Sequence, residues 1–296
     1  GIFLWNHIPT YFGSFAGYPL TTTFGAREFV RLAVCSVTMI PVAMCIGFTY
    51  PVAMECVGRA WPTRAIVWMG RAGALNTVGN IVGAMVAGFI LLPAIGSLKS
   101  LHILAGLSGL LALLPFICRQ AKTLVPTATI ASLMVGLFVL QPSNFDMTQF
   151  SSGANVYFQT QSYGRAIDSA ESLDGGLTTI VESNRPGEGR VRTMLTNGKF
   201  QGDDSPKREM SAQLAFGTTP LLHTSRRNRA LSIGLGTGVS TRAVWAADFK
   251  HIDVVELSGD VIRMAKQYFS QVNDKVLERP NVKTHVTDGR NFLLLS

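Results

Sequence analysis

The residues of this chain best placed to do chemistry lie in Leu231-Ser-Ile-Gly-Leu-Gly-Thr-Gly-Val-Ser240. An apolar run turns through Gly234, Gly236 and Gly238 into what reads as a helix start. A second apolar run, Ile252-Asp-Val-Val, ends in the carboxylate of Glu256. Glycines let a backbone approach a ligand closely, and an acid at the next strand tip, about twenty residues on, accepts hydrogen bonds from ribose hydroxyls. Together they predict a Rossmann-like sheet that holds a nucleoside. The glycines are spaced GxGxG rather than GxGxxG. That spacing weakens a nicotinamide dinucleotide and favours an S-adenosyl-type nucleoside, which has no pyrophosphate to cradle. A solvated or helix-capping acid is the alternative for Glu256. Asp288 follows a third expected strand; it either reads an adenine amino group or caps the next helix.

These residues need a sheet to position them. Strands are expected over 230–234, 252–256 and 282–287, alternating with helices over 240–247 and 259–269. A helical stretch over 209–223 leads in. Before it, 178–182 and 190–195 read as two strands joined by a turn over 184–189, and Asn197-Gly198 begins another turn. Three parallel strands of this order leave the first with an unpaired apolar edge.

The first half of the chain is different. Residues 1–150 carry three acids, Glu28, Glu55 and Asp146, against eight lysines and arginines. Residues 151–296 carry fifteen acids and eighteen bases, as an ordinary soluble domain does. Four apolar segments, 32–57, 72–95, 101–118 and 124–140, have almost no internal charge and predict a membrane region of about four spans, each needing about 20 residues. Glycines four apart at Gly79 and Gly83 suit close helix packing in lipid. The net charge of +8 forms no basic stripe interleaved with aromatics, so nucleic acid is not an expected partner. Cys35, Cys45, Cys56 and Cys118 lie in apolar segments and read as buried small hydrophobes. No metal site is expected.

The fold class is therefore an α-helical transmembrane region followed by α/β: a small β-hairpin unit, then a truncated Rossmann-like sheet of the S-adenosylmethionine-methyltransferase type. The divisions are 1–141 for the membrane, 142–170 for a linker, 171–208 for the hairpin unit and 209–296 for the first half of the nucleoside domain. The start at Gly1 and the stop inside an expected helix suggest a piece of a longer protein.

Taken in order, the hairpin, Asn197-Gly-Lys-Phe-Gln201, Pro220-Leu-Leu-His223, Ile233-Gly-Leu-Gly-Thr-Gly238, Val254-Val-Glu-Leu257 and Asp288-Gly-Arg-Asn-Phe-Leu293 resemble the spermidine synthase family of polyamine aminopropyltransferases. With Gly47-Phe-Thr-Tyr-Pro51, Asn76-Thr-Val-Gly79, Gly88-Phe-Ile-Leu-Leu-Pro93, Asn144-Phe-Asp146 and Ser152-Gly153, the chain is similar to bacterial fusions of a transporter-like membrane region to such a domain. The resemblance implies transfer of an aminopropyl group from decarboxylated S-adenosylmethionine to an amine. It implies that Gln201, Glu256 and Asp288 contact the nucleoside. Gly234, Gly236, Thr237 and Gly238 would lie beneath it, and Gly289 would stand beside Asp288. It also implies a multi-pass protein of the bacterial inner membrane, with lipid and a small amine as partners and a homodimer left open. The soluble half is expected in the cytosol, although the arginine-rich loops leave its side ambiguous.

The departures are specific. Thr237 stands where the family carries a loop aspartate, and Ala212, Leu214 and Thr218 stand where it carries amine-binding groups; only Gln213 fits. The family's catalytic aspartate falls after a fourth strand, beyond Ser296, so no catalytic residue is assigned and the chain is expected to be catalytically incomplete. Two alternatives remain: an S-adenosylmethionine-dependent methyltransferase, and a non-catalytic ligand-binding domain on a membrane transporter or sensor.

Overall fold

In the computed structural model, which describes residues 2–18, 21–117, 144–158, 163–172, 176–206 and 209–295, the chain divides into two units, Gly1–Asp146 and Met147–Ser296. The first unit is helical. After two short helices, α1 (Ile2–Asn6) and α2 (Ile8–Ser14), Thr23 caps α3 (Phe24–Ala60) by accepting from the Ala26 N–H. The helix runs through Pro41 and Pro51 without breaking. A short turn, Pro62–Arg64, leads into α4 (Ala65–Val86), a π-helical turn over Ala87–Leu91 and α5 (Leu92–Ile117). Pro93 has no N–H to return to the preceding turn, and a π-turn just before it absorbs the mismatch.

Among the described residues, two helical runs, Phe24–Ala60 and Pro62–Leu111, are long and apolar enough to cross a membrane. The segment expected over 32–57 lies on the first run. The segments expected over 72–95 and 101–118 fall on either side of a kink in the second run. The break is a single residue, Gly96, at φ 77° and ψ 173°. The segment 124–140 and Cys118 lie outside the described residues. Cys35, Cys45 and Cys56 are exposed rather than buried, because these helices turn most of their apolar surface outward.

The second unit begins earlier than a hairpin over 171–208. Short helices α6 (Met147–Phe150) and α7 (Ala154–Tyr157) and strand β1 (Arg165–Glu171) occupy the stretch expected to be linker. β1 joins β2 (Leu177–Arg185), β3 (Gly189–Thr196) and β4 (Lys199–Asp203) in an antiparallel sheet in chain order. The Tyr157 hydroxyl accepts the Phe200 N–H at 3.2 Å, tying α7 to β4. Between Gly153 and Gly198 the backbones come so close that a Cβ on either would overlap the other. Glycine at both is what allows the contact.

Helix α8 (Glu209–Thr218) and the tight turn Thr219–His223 follow. Then β5 (Arg229–Ile233), α9 (Val239–Trp245), β6 (His251–Glu256), α10 (Gly259–Tyr268), β7 (Val282–Val286) and α11 (Gly289–Leu295) alternate. Their sheet is parallel, in the order β5-β6-β7. The alternation expected from the apolar runs is present within a residue or two. Among the described residues β5 pairs with β6 alone, which leaves its other edge unpaired, and its Leu231 and Ile233 are exposed. Val261, Ile262, Met264 and Ala265 bury one face of α10 against Ile252 and Val254. Ile180 and Met194 join the same core, so the two sheets share it.

Asp253 sits mid-strand in β6. His285 Nε2 lies 2.9 Å from one of its oxygens, and Arg229 donates to the other at 3.1 Å. The hydrogen bond from His285, with Arg229 second, holds this carboxyl below its usual range. A carboxyl depressed in the folded state stabilises above its unfolded pKa of about 3.9, and the gain is lost as pH falls through the folded value. Asp253→Asn should therefore lower stability at neutral pH, and the gap to the parent should close below about pH 4. Denaturant midpoints measured across that range test it.

Candidate nucleoside site

The site is built where β5 and β6 end. The parallel ladder runs one step past β5, with the Gly234 N–H donating to the Val255 carbonyl at 2.8 Å. The chain then turns through Gly234, Gly236 and Gly238 at φ +81°, +56° and +86°. L-residues avoid this region, and three such positions in five explain the GxGxG spacing. A Cβ at Gly234 would meet nothing within 4 Å, so the conformation, not crowding, requires glycine there.

Glu256 ends β6 and turns its carboxylate onto this turn. One oxygen accepts the Leu235 N–H at 2.8 Å, and the other accepts the Ser258 N–H at 3.2 Å. A carboxylate offers about four lone-pair sites. Two backbone donors fix its plane and leave each oxygen with acceptor capacity. That is the arrangement a vicinal diol, with two O–H donors, needs.

The turn is held from beneath by Asn273, which the sequence did not single out, and by Gln213. Asn273 is 1% exposed, and its Nδ2 donates to the Thr237 carbonyl at 3.0 Å and the Ala265 carbonyl at 3.1 Å. Its Oδ1 accepts the Lys275 N–H at 3.0 Å, across a bend in which Asp274 and Lys275 both have positive φ. The Thr237 hydroxyl donates to the Gln213 side-chain oxygen, and the Ser240 hydroxyl donates to the Gln213 carbonyl at 2.7 Å. Gln213 thus ties α8 to the turn. Thr237, at 2% exposure, is a structural member of the turn, not a side chain open to solvent.

Strand β4 completes the wall. Gly202 is buried, and a Cβ there would come within 2.6 Å of Gln213 Nε2 and 3.0 Å of Thr237 Cγ2. Next to it, the Gln201 carbonyl approaches Gly236, while the Gln201 side chain is exposed. Helix α8 reaches α9 at Gly217, where an added Cβ would lie 2.7 Å from the Ala243 Cβ. Alanine there would gain up to about 1 kcal/mol of helix propensity. Overpacking costs about 1–3 kcal/mol and decides the sign. Gly217→Ala should lower the thermal midpoint rather than raise it.

Asp288 stands after β7, exposed, with Oδ1 accepting the Asn291 N–H at 3.0 Å. It therefore caps α11, one of the two roles open to it, with its second oxygen carrying no cap bond. Gly289 passes close to β5; a Cβ would come within 2.7 Å of Ile233 Cγ2. The structure thus gathers Gly234, Gly236, Thr237, Gly238 and Glu256 at one turn, with the Gln201 backbone against it, and places Asp288 and Gly289 at the end of β7. Asn273 carried no periodic signal. The paired turn residues Asn273-Asp274 were the only hint of a bend there.

Residues 209–294 match the family model of the spermine/spermidine synthase domain. The matched stretch holds α8, the glycine turn, Glu256 and Asp288. Gln201 and the antiparallel sheet lie outside it. No curated protein matches the chain. Among solved structures, the chain is similar to a spermidine synthase in complex with the transition-state analogue AdoDATO, at 23% identity and TM-score 0.38, over 44% of this chain and 43% of that one. It is also similar to the spermidine synthase of Thermotoga maritima, at 23% identity and TM-score 0.38, over 44% and 42%. The chain thus spans less than half the length of either.

Proposed function

We propose that this protein is a membrane-anchored, spermidine-synthase-like aminopropyltransferase, whose second unit binds decarboxylated S-adenosylmethionine across the glycine turn. The observation that carries the proposal is the Glu256 carboxylate, fixed by the Leu235 and Ser258 N–H groups at the strand tip that faces the turn. The ribose diol would take the remaining lone pairs of Glu256. Gln201 and Asp288 would flank the nucleoside, with Gly289 beside Asp288. The backbone of Gly234, Gly236, Thr237 and Gly238 would form the floor.

The reaction joins an amine nitrogen to the carbon beside a sulfonium and expels the thioether. The amine must be neutral when it attacks, and it loses a proton as the bond forms. Positioning supplies most of the rate, and a base takes the proton. By the family resemblance that base is an aspartate after a fourth parallel strand. The three parallel strands would make the nucleoside side of the site. No residue of that side is assigned to proton transfer. The long helices of the first unit would anchor the enzyme in a bacterial inner membrane, with the second unit in the cytosol.

One observation favours a second reading. Thr237 and Gln213 bond to each other at a position where an ammonium-bearing ligand tail would want a carboxylate. Intact S-adenosylmethionine, and hence methyl transfer, is compatible with that pair. Calorimetric titration of the full-length protein with both nucleosides, followed by amine-acceptor assays, decides between them. Tighter binding of the decarboxylated form with aminopropylated product supports the proposal. Binding of the intact form alone overturns it in favour of methyl transfer, and binding without turnover leaves a ligand-binding module.

A further inference from the structure

The turn between α3 and α4 gathers arginines and stacked tryptophans. No charged residue falls between Arg31 and Glu55 or between Arg71 and Lys99, so both membrane-length stretches end at this turn. Inside it, Trp61 and Trp68 stack with ring centres 5.2 Å apart. Arg71 places its guanidinium carbon 4.9 Å from the centre of the Trp68 ring. Arg59 pairs with Glu55 at 2.9 Å, the one acid of the turn. Arg64 and Arg71 are exposed, and neither has a carboxylate partner among the described residues.

The other end of α3 differs. There Arg27 donates to the Thr21 carbonyl and Arg31 pairs with Glu28, so the cations are spent within the protein. Tryptophan belongs at the headgroup level of a bilayer, and exposed arginines beside it meet lipid phosphates. A guanidinium laid on an indole keeps its N–H edge free for a phosphate oxygen.

We propose that the α3–α4 turn is a binding site for anionic phospholipid headgroups, with Arg64 and Arg71 holding the phosphate and Trp61 and Trp68 fixing the depth. This rests on the membrane-anchored reading of the first unit. In place of a generic positive loop, it names two arginines that discriminate lipids.

The test uses the full-length protein in phosphatidylcholine nanodiscs, with Trp5→Phe and Trp245→Phe so that Trp61 and Trp68 report alone. Brominated phosphatidylglycerol or brominated phosphatidylcholine is added as quencher. Phosphatidylglycerol should quench at the lower mole fraction. Arg64→Gln and Arg71→Gln should each reduce that preference about fivefold, while Arg64→Lys should retain most of it. Equal quenching by the two lipids, or a preference untouched by both glutamine variants, overturns the proposal while leaving the anchor in place. Loss of the preference to inorganic phosphate at matched ionic strength assigns the site to free phosphate and also overturns it. No quenching by either lipid removes the membrane reading itself.

Discussion

Replacing Glu256 with alanine should weaken binding of decarboxylated S-adenosylmethionine by about 1–3 kcal/mol, roughly five- to 150-fold in affinity. The loss comes from the diol. Two hydroxyls that left water to bond the carboxylate would meet a methyl group instead. Glu256→Gln should fall between, because the amide keeps one acceptor and turns a donor toward the other position. That donor also faces either the Leu235 or the Ser258 N–H, which the carboxylate had satisfied. Isothermal titration of the parent and both variants measures the order. An alanine variant that binds as the parent does would remove Glu256 from the site.

Asn273→Ala should do more harm to the folded state. The side chain is 1% exposed and serves two carbonyls and one N–H. Removing it leaves buried groups of the turn and of α10 without partners, at about 1–3 kcal/mol for each group that water does not reach. It also empties the space beneath Gly238, where the Asn273 amide lies 3.1 Å from the position of an added Cβ. The thermal midpoint of the full-length protein should drop by several degrees, and nucleoside affinity should fall with it as the Thr237 carbonyl is released. Asn273→Asp should be no better, since it would set a carboxylate against two carbonyl oxygens. If Asn273→Ala melts as the parent does, the turn is held by something else.

The parts of the fold that show a sharp change in pattern are the parts that can be read from the chain. The sequence Ile252-Asp-Val-Val-Glu256 is a short apolar run closed by an acid, and Gly234, Gly236 and Gly238 punctuate the run before it. Each has one structural solution, so β5, β6 and the turn between them are legible. Strand β1 is not. Arg165-Ala-Ile-Asp-Ser-Ala-Glu171 is an edge strand with mixed polarity on both faces, and a sheet neighbour rather than its own pattern makes it a strand. The helical run from Pro62 is legible in part. The polar stretch Ser97-Leu-Lys-Ser100 divides the two expected segments and the kink at Gly96 adjoins it, but that the helix resumes at once on the far side is set by the backbone angle at one glycine. Within the site, Glu256 was visible as a charge in an apolar setting. Asn273 was a lone turn amide that distance in sequence hides from the carbonyls it serves. For Asp288, the sequence offered cap and ligand alike, and the bond to the Asn291 N–H shows the cap.

A double cycle on the diol tests the nucleoside site most directly. Decarboxylated S-adenosylmethionine and its 2′-deoxy analogue are titrated into the parent and into Glu256→Ala. If the carboxylate grips the ribose, deleting the hydroxyl should cost the parent about 1–3 kcal/mol and cost the alanine variant almost nothing. If the hydroxyl is worth as much without the carboxylate as with it, Glu256 does not bind the sugar, and the glycine turn serves some other end.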